Sequence, residues 1–302
     1  MPLSICIAGC GNYARRVLDE IHDMRDTVTL YFASRDGARA RQYNDTYGGA
    51  GFFTSYEEAA RDHRVEAMYL FFPHHLHLEG TRLAASHSKH VLVEKPIART
   101  IPEASELIAV ARDAGVVLMV AENYRFAYAV DKCKELMAEG LIGDTRLIQV
   151  QREGNTGIPE GWRRNAEING GGAMIDAGIH DVDALVNIGG FPESVYAAIP
   201  PRVAADGEGE DGIAMTARFP GGAVGLLNFS WGTPVQEARD FLHVTGTRGE
   251  IRFQPFATEL VLETPASRRS FRLPPARWGV RPMIEEFVAA VRQGREPVMS
   301  GR

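Results

Sequence analysis

The stretch Leu3-Ser-Ile-Cys-Ile-Ala8-Gly9-Cys-Gly11-Asn12-Tyr13-Ala14 sets the reading of everything after it. Leu3 to Ala8 is an apolar run that reads as a buried strand. Gly9 to Gly11 reads as a tight turn, and Tyr13 to Met24 as a helix. Gly9-x-Gly11-x-x-Ala14 therefore stands between a first strand and a first helix, where small residues let backbone N–H groups approach a pyrophosphate. The three small residues alone would pass for an ordinary turn; their position at the head of an alternating domain is what gives them weight. Gly9, Gly11, Asn12 and Tyr13 are the candidate contacts of that turn.

The alternation continues outward. Val28 to Ala33 predicts a second strand, and Gly37 to Tyr47 a helix that Gly48 stops. Ser55 with Glu58, and Thr100 with Glu103, form capping-box patterns ahead of further helices. Val65 to Phe72, His90 to Glu94 and Val116 to Ala121 read as strands. Parallel strands need crossover helices, so residues 1–121 predict a doubly wound parallel sheet covered on both faces. From 122 to 302 the period changes. Two helices, one near Val130 to Glu139 and one ending near Ile188, are joined by a strand from Thr145 and followed by strands from Val195 to Leu273. Turns at Pro220-Gly-Gly222 and Thr247-Arg-Gly249 punctuate them. This predicts a second, α+β domain on an open, predominantly antiparallel sheet. Its strand Ala223–Trp231 is apolar on both faces, so helices are expected to cover one side and a second subunit the other, in a homodimer or homotetramer.

Composition narrows the partners. In 302 residues, 33 Lys and Arg face 39 Asp and Glu, a net charge of −6. Such a balance offers no electrostatic footprint for nucleic acid or an anionic membrane, and no stretch is apolar enough to cross one. Three cysteines, Cys6, Cys10 and Cys133, lack CxxC spacing, which suits a reducing cytoplasm rather than a disulfide framework or a zinc site. A small molecule is the expected partner.

Several constellations carry chemistry. At the tip of the second strand, where an acidic residue would hold the ribose of NAD, the chain reads Ala33-Ser34-Arg35. A hydroxyl and a guanidinium suit the extra phosphate of NADP, with Arg39 or Arg41 as second contacts; Asp36 argues the other way, for NAD, though the short helix starting there can use it as an N-cap. NADP is favoured over NAD; the bland alternative is a solvated arginine face. Glu94-Lys95-Pro96 ends a strand at the carboxyl edge of the sheet, where ligands of such sheets bind. Lys95 could hydrogen-bond a substrate hydroxyl there, or be a surface lysine in a turn. Phe72, His74 and His77 are read as lining a cofactor, because rings splayed at about 100° per residue in a helix do not gather on a metal, and no metal site is assigned. In Asp176-Ala-Gly-Ile-His180 the spacing of four puts carboxylate and imidazole on one helical face, with Asp183 and Asn187 continuing the stripe. That is a solvent face or a device for moving protons, and spacing leaves both open.

Taken in order, the glycine turn, Phe72-Pro-His-His-Leu-His77, His90-Val-Leu-Val-Glu-Lys-Pro96, Glu122-Asn-Tyr-Arg-Phe126 and Gly170-Gly-Gly-Ala-Met-Ile-Asp-Ala-Gly-Ile-His180 resemble the Gfo/Idh/MocA oxidoreductase family across nearly the whole chain. The resemblance implies a Rossmann domain, a bound NADP or NAD, and oxidation or reduction of a sugar, sugar derivative or cyclic polyol. It also implies roles. Lys95 would bind the reacting hydroxyl, His180 act as general acid/base, and Asp176 orient one or the other. Pro96 would follow a cis peptide. Tyr124 and Arg163, of Trp162-Arg163, would touch substrate, while Glu94, Lys95 and Asn123 join the cofactor contacts. Two other outcomes stay open: a sugar-responsive regulator that keeps the dinucleotide as a ligand, and a glycoside hydrolase that retains NAD. Relatives usually continue past the segment resembling Pro297 to Arg302 into one more helix that packs on the cofactor domain, so that helix is expected to be missing here or its docking to differ.

Overall fold

A computed structural model of the chain describes residues 1–155, 160–204, 206–234, 239–275 and 278–301. They form two compact units: Met1–Glu122 with Val280–Arg302, and Asn123–Gly279.

The first unit runs β1 (Leu3–Ala8), α1 (Asn12–Ile21), β2 (Val28–Ala33), α2 (Gly37–Tyr47), β3 (Gly51–Phe53), α3 (Tyr56–Arg61), β4 (Ala67–Leu70), α4 (His77–Ser86), β5 (His90–Glu94), α5 (Ile101–Asp113) and β6 (Leu118–Ala121). Its six strands are all parallel, in the order β3-β2-β1-β4-β5-β6. The order reverses direction beside β1, and the crevice at such a switch point is where ligands of doubly wound sheets bind. The strands are buried on both faces, which explains their unbroken apolar runs. Ser55 Oγ accepts from the amide of Glu58 at 3.1 Å and Thr100 Oγ1 from that of Glu103 at 3.3 Å, so both boxes start helices. The two glutamates, however, reach one residue further back, to the amides of Thr54 and Arg99.

The second unit carries α6 (Tyr128–Ala138), β7 (Thr145–Glu153), α7 (Ala166–Asn169), α8 (Ile179–Gly189) and the strands β8 (Ser194–Ala198), β9 (Gly212–Arg218), β10 (Val224–Ser230), β11 (Arg239–Gly246), β12 (Glu250–Phe253), β13 (Glu259–Thr264) and β14 (Ser267–Arg272). They make one eight-stranded sheet, β14-β13-β12-β11-β7-β10-β9-β8, antiparallel except where β10 runs parallel to β7. Both α6 and α8 pack on one face, closing a core of Leu136, Ile148, Leu185, Phe219, Leu227, Phe229 and Leu242. On the other face alternation leaves Val224, Leu226 and Asn228 of β10, while β8 is exposed throughout.

One expectation fails at the end of the chain. The last residues, grouped in sequence with the second domain, belong to the first unit. The helix α9 (Val280–Gln293), for which the sequence reading had no element, buries Val280, Met283, Ile284, Phe287 and Ala290 and packs on α1. Their spacing of three and four is that of a helix with one apolar face. Arg281 ties it to Asp23, and Arg292 to Glu66. A helix thus closes onto the cofactor unit ahead of Pro297. Among the described residues no helix is long and apolar enough to cross a membrane.

Candidate functional site

In the first unit the candidate residues gather at the carboxyl ends of β1, β2, β4 and β5. Gly9 turns the chain with φ of +106°, and a Cβ there would lie 2.7 Å from the carbonyl oxygen of Phe71, so this position requires glycine. Gly11 is the N-cap of α1, without a side-chain cap, and a Cβ on it would meet nothing within 4 Å. Bare first-turn amides beside open space are what a pyrophosphate needs, so the turn fits the dinucleotide. Tyr43 Oη steadies it, donating to the carbonyl of Gly11 at 3.1 Å. Asn12 and Tyr13 open α1, Tyr13 with its ring 6.2 Å from that of Phe71. Cys10 is buried with its thiol pushed up to about 12, chiefly by burial, as befits a turn residue and not a nucleophile.

At the tip of β2, Ser34 is buried and its Oγ accepts from the amide of Asp36 at 3.1 Å, keeping its own O–H to donate. Asp36, the carboxylate that would have argued for NAD, caps α2 by accepting from the amides of Ala38 and Arg39 at 3.1 and 3.2 Å. Arg35 and Arg39 are exposed, Arg39 in a loose 3.9 Å pair with Asp36.

At the ends of β4 and β5 the structure corrects part of the expected contact set. His77, taken as lining the cofactor, is fully buried. Its Nδ1 lies 2.9 Å from the carbonyl of Pro96 and its Nε2 3.1 Å from that of Phe72. Burial drives its pKa down to about 4, so the ring is neutral and donates to one of the two carbonyls. It binds the end of β4 to the segment after Lys95, a positioning role. Glu94 likewise points inward, accepting from Tyr69 Oη at 2.7 Å, with its carboxyl raised to about 7 by burial. Phe72 packs on Tyr56 at 4.6 Å, and His74 is buried 5.6 Å from His77. Lys95 follows β5 directly, and the Lys95–Pro96 peptide is cis.

In the second unit the stripe expected on an α-helix starts with a π turn, Met174–Gly178, before α8. Arg152 Nη2 donates to the carbonyl of Ala177 within it, and a Cβ on Gly178 would come 2.4 Å from Met174 Sδ. Asp176 and His180 are both buried, which removes the solvent-face alternative. The stripe beyond them pairs with neighbouring side chains. Asp183 pairs with Arg125, and Asn187 accepts from Lys134 at 2.7 Å. Arg163 lies against the Trp162 ring and pairs with Asp176 at 3.1 Å. Tyr124 stacks on His180 with centroids 4.2 Å apart and planes 11° apart. The predicted Arg163, Asp176, Tyr124 and His180 therefore form two touching pairs. Asn123, expected at the cofactor, is buried, with Nδ2 given to the carbonyl of Trp278 and Oδ1 without a partner among the described residues.

Sequence reasoning missed the residue that organises this cluster. Arg152, at the end of β7, bonds the buried Asp181 twice, at 3.0 and 2.6 Å, and donates to Tyr124 Oη at 3.2 Å. Its guanidinium lies 4.9 Å from the Phe229 ring centroid. Among the described residues no group of three or more His, Cys, Asp or Glu is placed to hold a metal ion.

Known proteins resemble this chain in sequence and in fold. A 1,5-anhydro-D-fructose reductase of Ensifer adhaerens is 33% identical over 222 residues, 72% of this chain and 66% of that protein. An aldose-aldose oxidoreductase of Caulobacter crescentus, solved with glycerol, superposes with a TM-score of 0.90 over 100% of this chain and 92% of that one, at 24% identity, a likeness of fold. A 3-ketoreductase of Actinomadura kijaniata, solved with NADP and TDP-benzene, gives a TM-score of 0.86 at 25% identity over 100% and 93% of the two chains. Residues 3–122 match the oxidoreductase family's NAD-binding Rossmann fold, and residues 130–252 the GFO/IDH/MocA C-terminal domain. The chain belongs to the GFO/IDH/MocA family of oxidoreductases.

Proposed function

We propose that this protein transfers a hydride between a nicotinamide dinucleotide, NADP in preference to NAD, and a carbinol or ketone carbon of a sugar, sugar derivative or cyclic polyol. The observation that carries the reading is Lys95, the residue that leaves β5 at the ligand-binding edge of the dinucleotide sheet. When bound, the dinucleotide supplies the hydride acceptor or donor. The protein's residues bind and orient it and handle the proton. Gly9 and the amides following Gly11 receive the pyrophosphate, and Ser34 and Arg35 the ribose phosphate. Lys95 holds the reacting hydroxyl. Its charge acts most strongly as that oxygen becomes an alkoxide, which is stabilisation specific to the transition state. His180 exchanges the hydroxyl proton, held by its stack on Tyr124, while Asp176 and Arg163 position substrate hydroxyls.

The face of the second sheet opposite α6 and α8, with Tyr196 exposed at a groove of about 390 Å³ lined also by Ala214, Leu226 and Asn228, supports assembly of copies into a homodimer or homotetramer. Three free, buried cysteines support a reducing, cytoplasmic setting. The test is a panel of sugars and cyclitols with NADP and with NAD, read at the nicotinamide absorbance with product analysis. Net oxidation or reduction is expected. A dinucleotide that binds without any net redox change across the panel would refute it and favour a regulator or a cofactor-retaining hydrolase.

A further inference from the structure

Four rings run in contact through the second unit. Trp278 lies 5.6 Å from Phe256, Phe256 meets Tyr124 edge-on at 4.6 Å, and Tyr124 stacks on His180 at 4.2 Å. Tyr124 and His180 are buried, Tyr124 being 6% exposed, Phe256 is half-buried, and Trp278 at the outer end is 52% exposed. An isolated exposed tryptophan needs no explanation by itself, but this one has a strained backbone. Its φ is +50°, a left-handed conformation costly for a bulky residue. The structure holds it there from two sides. Asn123 Nδ2 donates to its carbonyl, and Gly279, at φ +66°, packs so closely that a Cβ would lie 2.3 Å from the carbonyl of Asn123. A residue fixed in an unfavourable backbone conformation while its apolar ring faces water points to a ligand for that ring.

We infer that Trp278 and Phe256 form an aromatic subsite that accepts a second ring of the substrate, so that the preferred substrates are glycosides and not free monosaccharides. This rests on the sugar-oxidoreductase reading and specifies the substrate class. The flat apolar face of a pyranose, or an aromatic aglycone, packs on indole and phenyl rings, and an aromatic aglycone gains from ring pairing beyond area burial. The order of the rings orients the glycoside: the sugar that reacts lies at Tyr124 and His180, and the ring attached to it lies over Phe256 and Trp278.

The experiment measures binding of methyl and phenyl β-D-glucopyranosides and galactopyranosides by calorimetry to the NADP-loaded full chain, wild type and Trp278→Ala, with kcat and KM for each. The phenyl glycosides should bind about tenfold more tightly than the methyl ones. The substitution should abolish that advantage through KM, leaving kcat and the affinity for the methyl glycosides within about twofold. Trp278→Phe should restore part of it, which separates stacking from folding. Methyl glycosides that bind with no phenyl advantage, or an advantage that survives Trp278→Ala, overturn the subsite alone. No binding or turnover of either series overturns the glycoside subsite, while the sugar-oxidoreductase reading is decided separately by the panel of free sugars and cyclitols. Altered sedimentation with unchanged glycoside binding would make Trp278 an interface residue and also overturn it.

Discussion

Replacing Arg152 by Met should unsettle the second unit more than any other single truncation near His180. The guanidinium makes two bonds to Asp181, whose side chain is 4% exposed, and further bonds to Tyr124 Oη and the carbonyl of Ala177. Methionine preserves the apolar contact with Phe229 but leaves a buried carboxylate without its cation. Breaking a buried pair on one side typically costs about 3–5 kcal/mol. Because the Arg152 side chain keeps 19% exposure, water reaches the edge of the pair and the lower end of that range, about 3 kcal/mol, is expected. At a urea slope of about 1–3 kcal/mol per molar the unfolding midpoint should fall by about 1 M or more. The partner variant decides the cause. Arg152→Met with Asp181→Leu removes both charges, and apolar replacement of a whole pair is often neutral or stabilising. The double variant should therefore regain most of the lost midpoint while kcat stays low, since the hydrogen bond holding Tyr124 against His180 is still absent. An unchanged midpoint in Arg152→Met, or a double variant no more stable than the single one, would refute this role.

Three further outcomes follow from the first unit. Glu94 is raised to about 7 by burial, against an ordinary value of 4.5, so the folded state keeps a proton that the unfolded chain releases. Its stabilising contribution is complete below about pH 4.5 and is lost as pH rises through about 7, roughly 3 kcal/mol in all. Glu94→Gln, which can still accept from Tyr69, should flatten that slope, and parallel profiles of denaturation midpoint against pH for both proteins would contradict it. Arg35→Ala should weaken NADP by about tenfold or more, the size of one charge-assisted bond, and leave NAD unaffected in a fluorescence titration; equal effects on both cofactors would remove Arg35 from the phosphate. Gly9→Ala should reduce affinity for both cofactors alike, because its Cβ would clash with the carbonyl of Phe71 whatever the ribose carries; cofactor affinity unchanged by calorimetry would contradict the turn's role.

What was legible in the sequence was local. The glycine turn, the strand and helix of Val28–Ala33 and Gly37–Tyr47, and the Asp36 cap each depend on residues a few positions apart, and the structure has them at those positions. Residues whose meaning comes from a distant partner were not legible in this way. His77 and Glu94 sit inside matching motifs, yet their side chains face the carbonyl of Pro96 and the hydroxyl of Tyr69, and no periodicity announces that. Arg152 ends a strand as an ordinary charge until Asp181, 29 residues later, arrives beside it. The π turn before His180, whose Ala177 carbonyl accepts from the distant Arg152, could not be read from a spacing of four. The α9 face was present in the spacing of Val280, Met283, Ile284, Phe287 and Ala290, a signal available to the 3.6-residue test.

Lys95→Ala gives the most direct test of the account. Single-turnover nicotinamide absorbance and a separate NADP binding titration are run on the same preparation, with a sugar or polyol that the wild type turns over. The hydride-transfer rate should fall by about 10²-fold or more while NADP affinity stays within about threefold, since the lysine acts on the reacting oxygen and not on the dinucleotide. A rate that survives the substitution, or losses of rate and of NADP affinity of the same size, would contradict the assignment.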